Sequence, residues 1–113
     1  MIDHSHVQRY WQETDTGKPI PFIGDVQQWA LWIQNHDTVV ATTRANDPDD
    51  PDRNRLVSTI FVGIAPHPTQ RPPMVYETLV FDEHNVLARR LSASRSEAEE
   101  SHHNLVAELT SLQ

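Results

Sequence analysis

Apolar positions along this chain fall into a helical stripe, three β-rich runs, a weaker fourth run and a second helical stripe. Val26, Trp29, Ala30 and Ile33 recur at the spacing of one helix face, with Trp32 beside them. Gly24-Asp25 precedes this stripe, and the Asp25 carboxylate suits an N-cap because it accepts from free backbone N–H groups and meets the positive end of the dipole. Asn35, His36 and Asp37 end the helix after about three turns. The runs TVVATTRA (38–45), RLVSTIFVGIA (55–65) and MVYETLVFD (74–82) are dominated by residues that fit a pleated, half-buried surface. Their separators, NDPDDPDRN and PHPTQRPP, are too rich in Pro and Asp for regular structure. Antiparallel hairpins are the economical connection, since a parallel crossover needs a dozen or more residues and usually a helix. A fourth strand, NVLARRLS (85–92), follows the turn at 82–85, and Ser94-Arg95-Ser96-Glu97 reads as a capping box opening a final helix. Ala98, His102, Leu105, Leu109 and Leu112 trace its stripe, with Val106 alongside.

The N-terminal part differs. Residues 1–9 carry no sustained period and read as a flexible terminus, so one ordered domain is expected over 10–113. In YWQETDTGKPIPF (10–22), Asp15, Thr16, Gly17 and Pro19 sit between apolar ends, which predicts a short strand or arm folded back through a turn. Pro19 and Pro21 exclude a central strand there. The expected fold is therefore α+β: an antiparallel four-stranded meander sheet with two helices packed on one face.

Composition narrows the function. The chain has 113 residues, enough for one domain, and 16 acidic against nine Lys and Arg residues give a net charge of −7. That surplus argues against nucleic acid, because phosphate neutralisation needs a basic face. No run approaches the roughly 20 apolar residues of a membrane span, and polar residues interrupt any secretory apolar segment after Met1. With no cysteine, thiolate metal sites, iron–sulfur clusters and cysteine nucleophiles are excluded. A cytoplasmic protein held together by packing is expected.

Hairpins centred on the loops predict a strand register, because antiparallel partners are mirrored about the turn. Thr59 is expected to face Glu77, Glu77 to face Arg90, and Thr42 to face Thr59. One face then carries Val39, Ala41, Ile60, Val62, Ile64, Met74, Tyr76, Val80, Leu87 and Leu91, and is the one both helices cover. The other is apolar at its ends, with Thr42, Thr59, Glu77 and Arg90 as a transverse polar row. Glu77, flanked by Val75, Leu79 and Phe81, needs a partner or a shifted pKa. Three readings compete for this face: a structural Glu77–Arg90 ion pair, a self-complementary dimer interface displaying Phe61, Leu79 and Phe81, or a ligand or catalytic site built on Glu77 and Arg90. No second carboxylate stands on that face for acid–base hydrolysis.

Other chemistry is sparse. His4-Ser5-His6 reads as a solvated terminus and His102 as a core imidazole, and His36, His67 and His84 have no metal-ligand spacing, so neither metal nor cofactor is assigned. Asp47, Asp49, Asp50 and Asp52 resemble a calcium loop in composition only, with Pro48 and Pro51 inside and no Gly or Glu at the required positions. Ser58 lacks the surroundings of a nucleophile, and Gly17, Gly24 and Gly63 are too scattered for a phosphate loop. The prolines of 66–73 read as a stiff loop in preference to a docking segment.

The segments V-S-T-I-F-V-G (57–63) and P-P-M-V-Y-E-T-L-V-F (72–81), with W-A-L-W (29–32) and S-E-A-E (96–99), resemble a family of small actinobacterial and actinobacteriophage proteins to which no activity is attached. After Gly63 this chain reads I-A-P-H-P where the family pattern has Leu-Asp-His. The resemblance implies a phage or prophage setting and a small accessory protein. Together these readings predict a non-enzymatic protein acting by protein–protein interaction, as a homodimer and on a host protein, through Thr42, Thr59, Phe61, Glu77, Leu79, Phe81 and Arg90. The alternative is a small-molecule-binding or catalytic domain using Glu77 and Arg90.

Overall fold

The structure, a computed structural model, describes residues 7–111. Asp25 opens α1 (Val26–Asn35) through a reciprocal capping box: its Oδ1 accepts from the Gln28 N–H at 2.9 Å, and Gln28 Oε1 accepts from the Asp25 N–H at 2.8 Å. The core-facing side of α1 is narrower than its stripe suggests. Trp29, Trp32 and Ile33 turn inward, whereas Val26 and Ala30 are exposed. At the other end of the chain, Ser94 Oγ accepts from the Glu97 N–H, and the Glu97 carboxylate reaches back to the Ala93 N–H. That cap opens α2 (Arg95–Ser111).

Between the helices stands a four-stranded antiparallel sheet in sequence order: β3 (Val39–Ala45), β4 (Arg55–Phe61), β5 (Tyr76–Phe81) and β6 (Val86–Ser92). The fold is α+β, with the hairpin connections expected of a meander. A 3₁₀ turn, Pro51–Arg53, occupies the acidic loop between β3 and β4, and the proline-rich segment joins β4 to β5. The N-terminal arm forms a two-stranded ribbon of β1 (Trp11–Glu13) and β2 (Pro19–Pro21). Gly17 turns it, with a φ of +77° that L side chains rarely adopt. Next to the arm, the Gln8 N–H donates to Pro68 O and Arg9 O accepts from the Ala65 N–H; residues 1–6 lie outside the described residues.

The arm is fastened by one buried carboxylate. The Glu13 side chain is 3% exposed and meets three donors: Tyr76 Oη at 2.5 Å, His36 Nε2 at 3.1 Å and Arg95 Nη1 at 3.3 Å. A carboxylate accepts only, so Nε2 is the protonated nitrogen of His36. The His36 ring stacks on Trp32 at a centroid distance of 4.5 Å, and Phe61 packs edge-on against both His36 and Tyr76. Trp29 Nε1 adds a bond to Trp11 O at 3.0 Å. Burial and the Glu13 carboxylate push the Tyr76 phenol far up, so it stays a donor throughout the working pH range.

Removing one member of a buried charged cluster strands the others. Glu13→Ala is expected to lower stability in urea unfolding by about 3 to 5 kcal/mol. Tyr76→Phe, which removes one bond to a charged acceptor, is expected to cost about 1.5 to 3 kcal/mol. An effect below about 0.5 kcal/mol for both variants contradicts this role for the carboxylate.

Candidate interaction face

Every predicted strand pairing is displaced by one residue. Thr59 faces Thr78, where Glu77 was expected. Glu77 faces Leu91, Arg90 faces Thr78, and Thr42 faces Ser58 while Ala41 takes the place opposite Thr59. Part of the cause is visible at one bulge. Near the β5–β6 turn Phe81 faces Val86, the register that a turn centred at 83–84 dictates, but one extra residue at Leu87 then displaces the rest of the pairing. In the β3–β4 hairpin the displacement is set at the loop itself, since Ala45 already faces Arg55, and the irregularity between Val39 and Ala41 lies beyond the predicted pairing. A one-residue slip exchanges the two faces of a strand.

The expected polar row is thereby divided. Thr59 and Phe61 are fully buried, Thr59 against His102 of α2 and Phe61 against Trp32 of α1 and His36. Arg90 points to the same side, where its Nη2 lies 3.4 Å from the Glu108 carboxylate of α2. Thr42, Glu77, Leu79 and Phe81 stand on the opposite face. Glu77 and Arg90 are therefore separated by the sheet, and the partner of Glu77 is Arg89, whose Nε donates to Oε2 at 2.6 Å. Arg89 lies across Glu77 and leaves its side chain 16% exposed.

Under α2 the threonines form a polar seam that the expected register concealed. Thr59 Oγ1 lies 2.7 Å from Thr78 Oγ1 and 2.8 Å from His102 Nδ1, and Thr43 Oγ1 lies 2.8 Å from His102 Nε2. Neutral imidazole offers one donor and one acceptor, so the protons run in a single sense along Thr43, His102, Thr59 and Thr78, and either sense pairs both ring nitrogens. Val57, Val80 and Leu105 close the seam on one side, with Val106 and Leu109 packed behind them. Thr43 and Thr78 were missed. The signal was His102 on an apolar helix stripe, which demands polar partners on the strands it covers.

The face turned away from α2 carries Leu56, Ile60, Leu79, Phe81 and Leu91, all half-buried by their neighbours in the plane of the sheet. Among the described residues, neither helix packs on it. At the end where the β3–β4 loop and the β5–β6 turn rise above the sheet, this face deepens into an open groove of about 590 Å³. Its floor is a register row, one residue from each strand: Arg44, Leu56, Phe81 and Val86. The turn beside it is braced by Asp82, whose Oδ1 accepts from the His84 and Asn85 N–H groups, and these bonds hold its carboxyl below the usual carboxylate range.

Other sequence candidates do not converge. His4 and His6 lie outside the described residues, and among the described residues no three His, Asp or Glu side chains gather as metal ligands. The acidic loop spends its carboxylates on its own turns: Asp47 accepts from the Asp49 N–H and Asp50 from the Asp52 N–H. No helix among the described residues is long and apolar enough to cross a membrane. No family model, curated protein or solved structure matches the chain.

Burial, and then the neighbouring His103, hold the His102 pKa below the ordinary imidazole value. The unfolded chain therefore takes up this proton near pH 6.5, while the folded chain resists it to a lower pH. The His102 contribution to stability is complete above about pH 6.5 and declines as pH falls from there to the folded pKa. Urea midpoints between pH 8 and pH 5 should fall more steeply for the wild-type chain than for His102→Gln. Parallel curves for the two chains contradict the assignment.

Proposed function

We propose that this chain is a non-enzymatic accessory protein that works by protein–protein interaction, docking the open sheet face on a second copy of itself. The observation that carries the reading is the set of apolar side chains Leu56, Ile60, Leu79, Phe81 and Leu91, interspersed with Ser58 and the Glu77–Arg89 pair, on the side of the sheet that neither helix covers. Apolar surface of this kind marks interfaces in soluble proteins. A second copy suits it because the one acidic group at its centre, Glu77, is already neutralised within the chain by Arg89. The face therefore asks for apolar surface in return, which it also offers. Sheets pack face to face at about 10 Å with their inner side chains interdigitated.

The magnitude of the association follows from size. Four strands of about seven residues span roughly 20 by 23 Å, which is small beside the roughly 800 Å² per partner of standard interfaces. A reversible dimer is the expected outcome, opposed at long range by the net charge of −7 on each copy. Sedimentation over a wide concentration range should show a monomer–dimer equilibrium that tightens with added salt, because salt screens that repulsion. Leu79→Lys should hold the chain monomeric at all concentrations without lowering its helix content. A wild-type chain that stays monomeric into the millimolar range, or a Leu79→Lys chain that dimerises as well as wild type, overturns the reading.

A further inference from the structure

The groove at the end of the open face has a chemistry that self-association does not use. Its floor combines a guanidinium with three apolar side chains in one transverse row, Arg44, Leu56, Phe81 and Val86. Arg44 is exposed and, among the described residues, has no hydrogen-bond or ion-pair partner. The other charged groups around the groove are committed to their own loops. Arg55 Nη1 donates to the Asp52 and Asn54 carbonyls, and Asp82 braces its turn. What the walls offer a visitor is therefore an exposed cation beside an aromatic and aliphatic floor, with Asn46 and Asn85 also in the lining.

The volume, about 590 Å³, lies within the span of roughly 300 to 1,000 Å³ typical of small-molecule sites, which are mostly apolar with a few polar groups that fix orientation. A guanidinium matches a carboxylate through two parallel N–H···O bonds. The charge of the ligand is limited by the same walls: Asp82 and Glu83 also line the groove, so a second negative charge on a ligand meets their repulsion over again.

We propose that this groove binds a small organic monocarboxylate with an aromatic or branched apolar body, its carboxylate on Arg44 and its body over Leu56, Phe81 and Val86. The site shares Leu56 and Phe81 with the apolar face, so a ligand and a second copy compete for those two side chains, whereas its defining group, Arg44, lies outside the apolar patch.

Titration of the full chain, followed by backbone amide shifts, tests the site with three probes: 4-phenylbutyrate, isovalerate, and 4-phenylbutan-1-ol as the uncharged analogue of the first. The expected result is a saturable response at Arg44, Leu56, Phe81, Asn85 and Val86 with either acid. The alcohol should bind about tenfold or more weakly than 4-phenylbutyrate, the loss of one charge-assisted pairing. In Arg44→Gln, whose exposed side chain leaves folding untouched, that difference between acid and alcohol should vanish. Equal binding of acid and alcohol to the wild-type chain, shifts centred elsewhere, or no response to either acid overturns the proposal. Line widths in the same spectra report self-association, and the titration is repeated on Leu79→Lys, which keeps the groove and is held monomeric, so failure of the groove and failure of the dimer are read independently.

Discussion

The Glu13 carboxylate is the point on which the arrangement of elements depends. A charged group at this depth is tolerated only when surrounded by donors, and the donors here come from three different elements: Tyr76 from β5, Arg95 from α2 and His36 from the end of α1. Each element therefore needs the others in place before the N-terminal ribbon docks. The same residues belong to the aromatic cluster, because His36 reaches Glu13 while stacked on Trp32, and Tyr76 while it lies edge-on to Phe61. The hydrophobic cluster of Trp11, Phe61, Val75, Tyr76 and Ala98 is thus assembled around a polar centre. Burial supplies the driving force and the carboxylate selects the geometry.

A second polar commitment fixes the sheet against α2. Placing Thr43, Thr59 and Thr78 beneath a helix is unfavourable unless each hydroxyl is paired, and His102 pairs two of them from a single position on the helix. Sliding any of the three strands by one residue removes a threonine from the seam and leaves a buried imidazole nitrogen or hydroxyl without a partner. This penalty defines the register more sharply than the hydrophobic pattern does. Val57, Thr59 and Phe61 alternate with Leu56, Ser58 and Ile60, and neither set is clearly the more apolar.

That ambiguity explains which parts of the molecule were legible in the sequence. The elements and their order followed from local signals: the Asp25 cap, the alternation of β-branched residues and the Ser94 cap are chemistry within a few residues of chain. The faces did not, because β4 and β5 are apolar on both sides and a mirror about each loop is only as good as the loop is symmetrical. The bulge at Leu87 is invisible in composition, yet it alone moves Arg90 from the open face to the side of Glu108 and brings Arg89 to Glu77. The Glu13 cluster was hidden for a different reason. Its four members are up to 82 residues apart, and nothing near Glu13 in the arm distinguishes it from a solvated acid.

The two-sided character of β4 and β5 also limits how the chain can associate. A sheet with two free edges invites strand addition, but both edges here are guarded: β3 and β6 each carry a bulge, and β6 presents Arg89 and Arg90. The open face is guarded less, since its central acid is neutralised by Arg89 and the pair is flanked by Ile60, Leu79 and Leu91. Arg89 serves both ends at once, discouraging a strand from adding beside β6 while cancelling the charge that discourages a surface from settling on Glu77. On the proposed reading, association is directed to the face and away from the edge. A contact between faces is bounded by the dimensions of the sheet, whereas strand addition at an edge can repeat without limit. The Glu77–Arg89 pair, though worth no more than about 1 kcal/mol to the folded chain, has its main consequence in that choice.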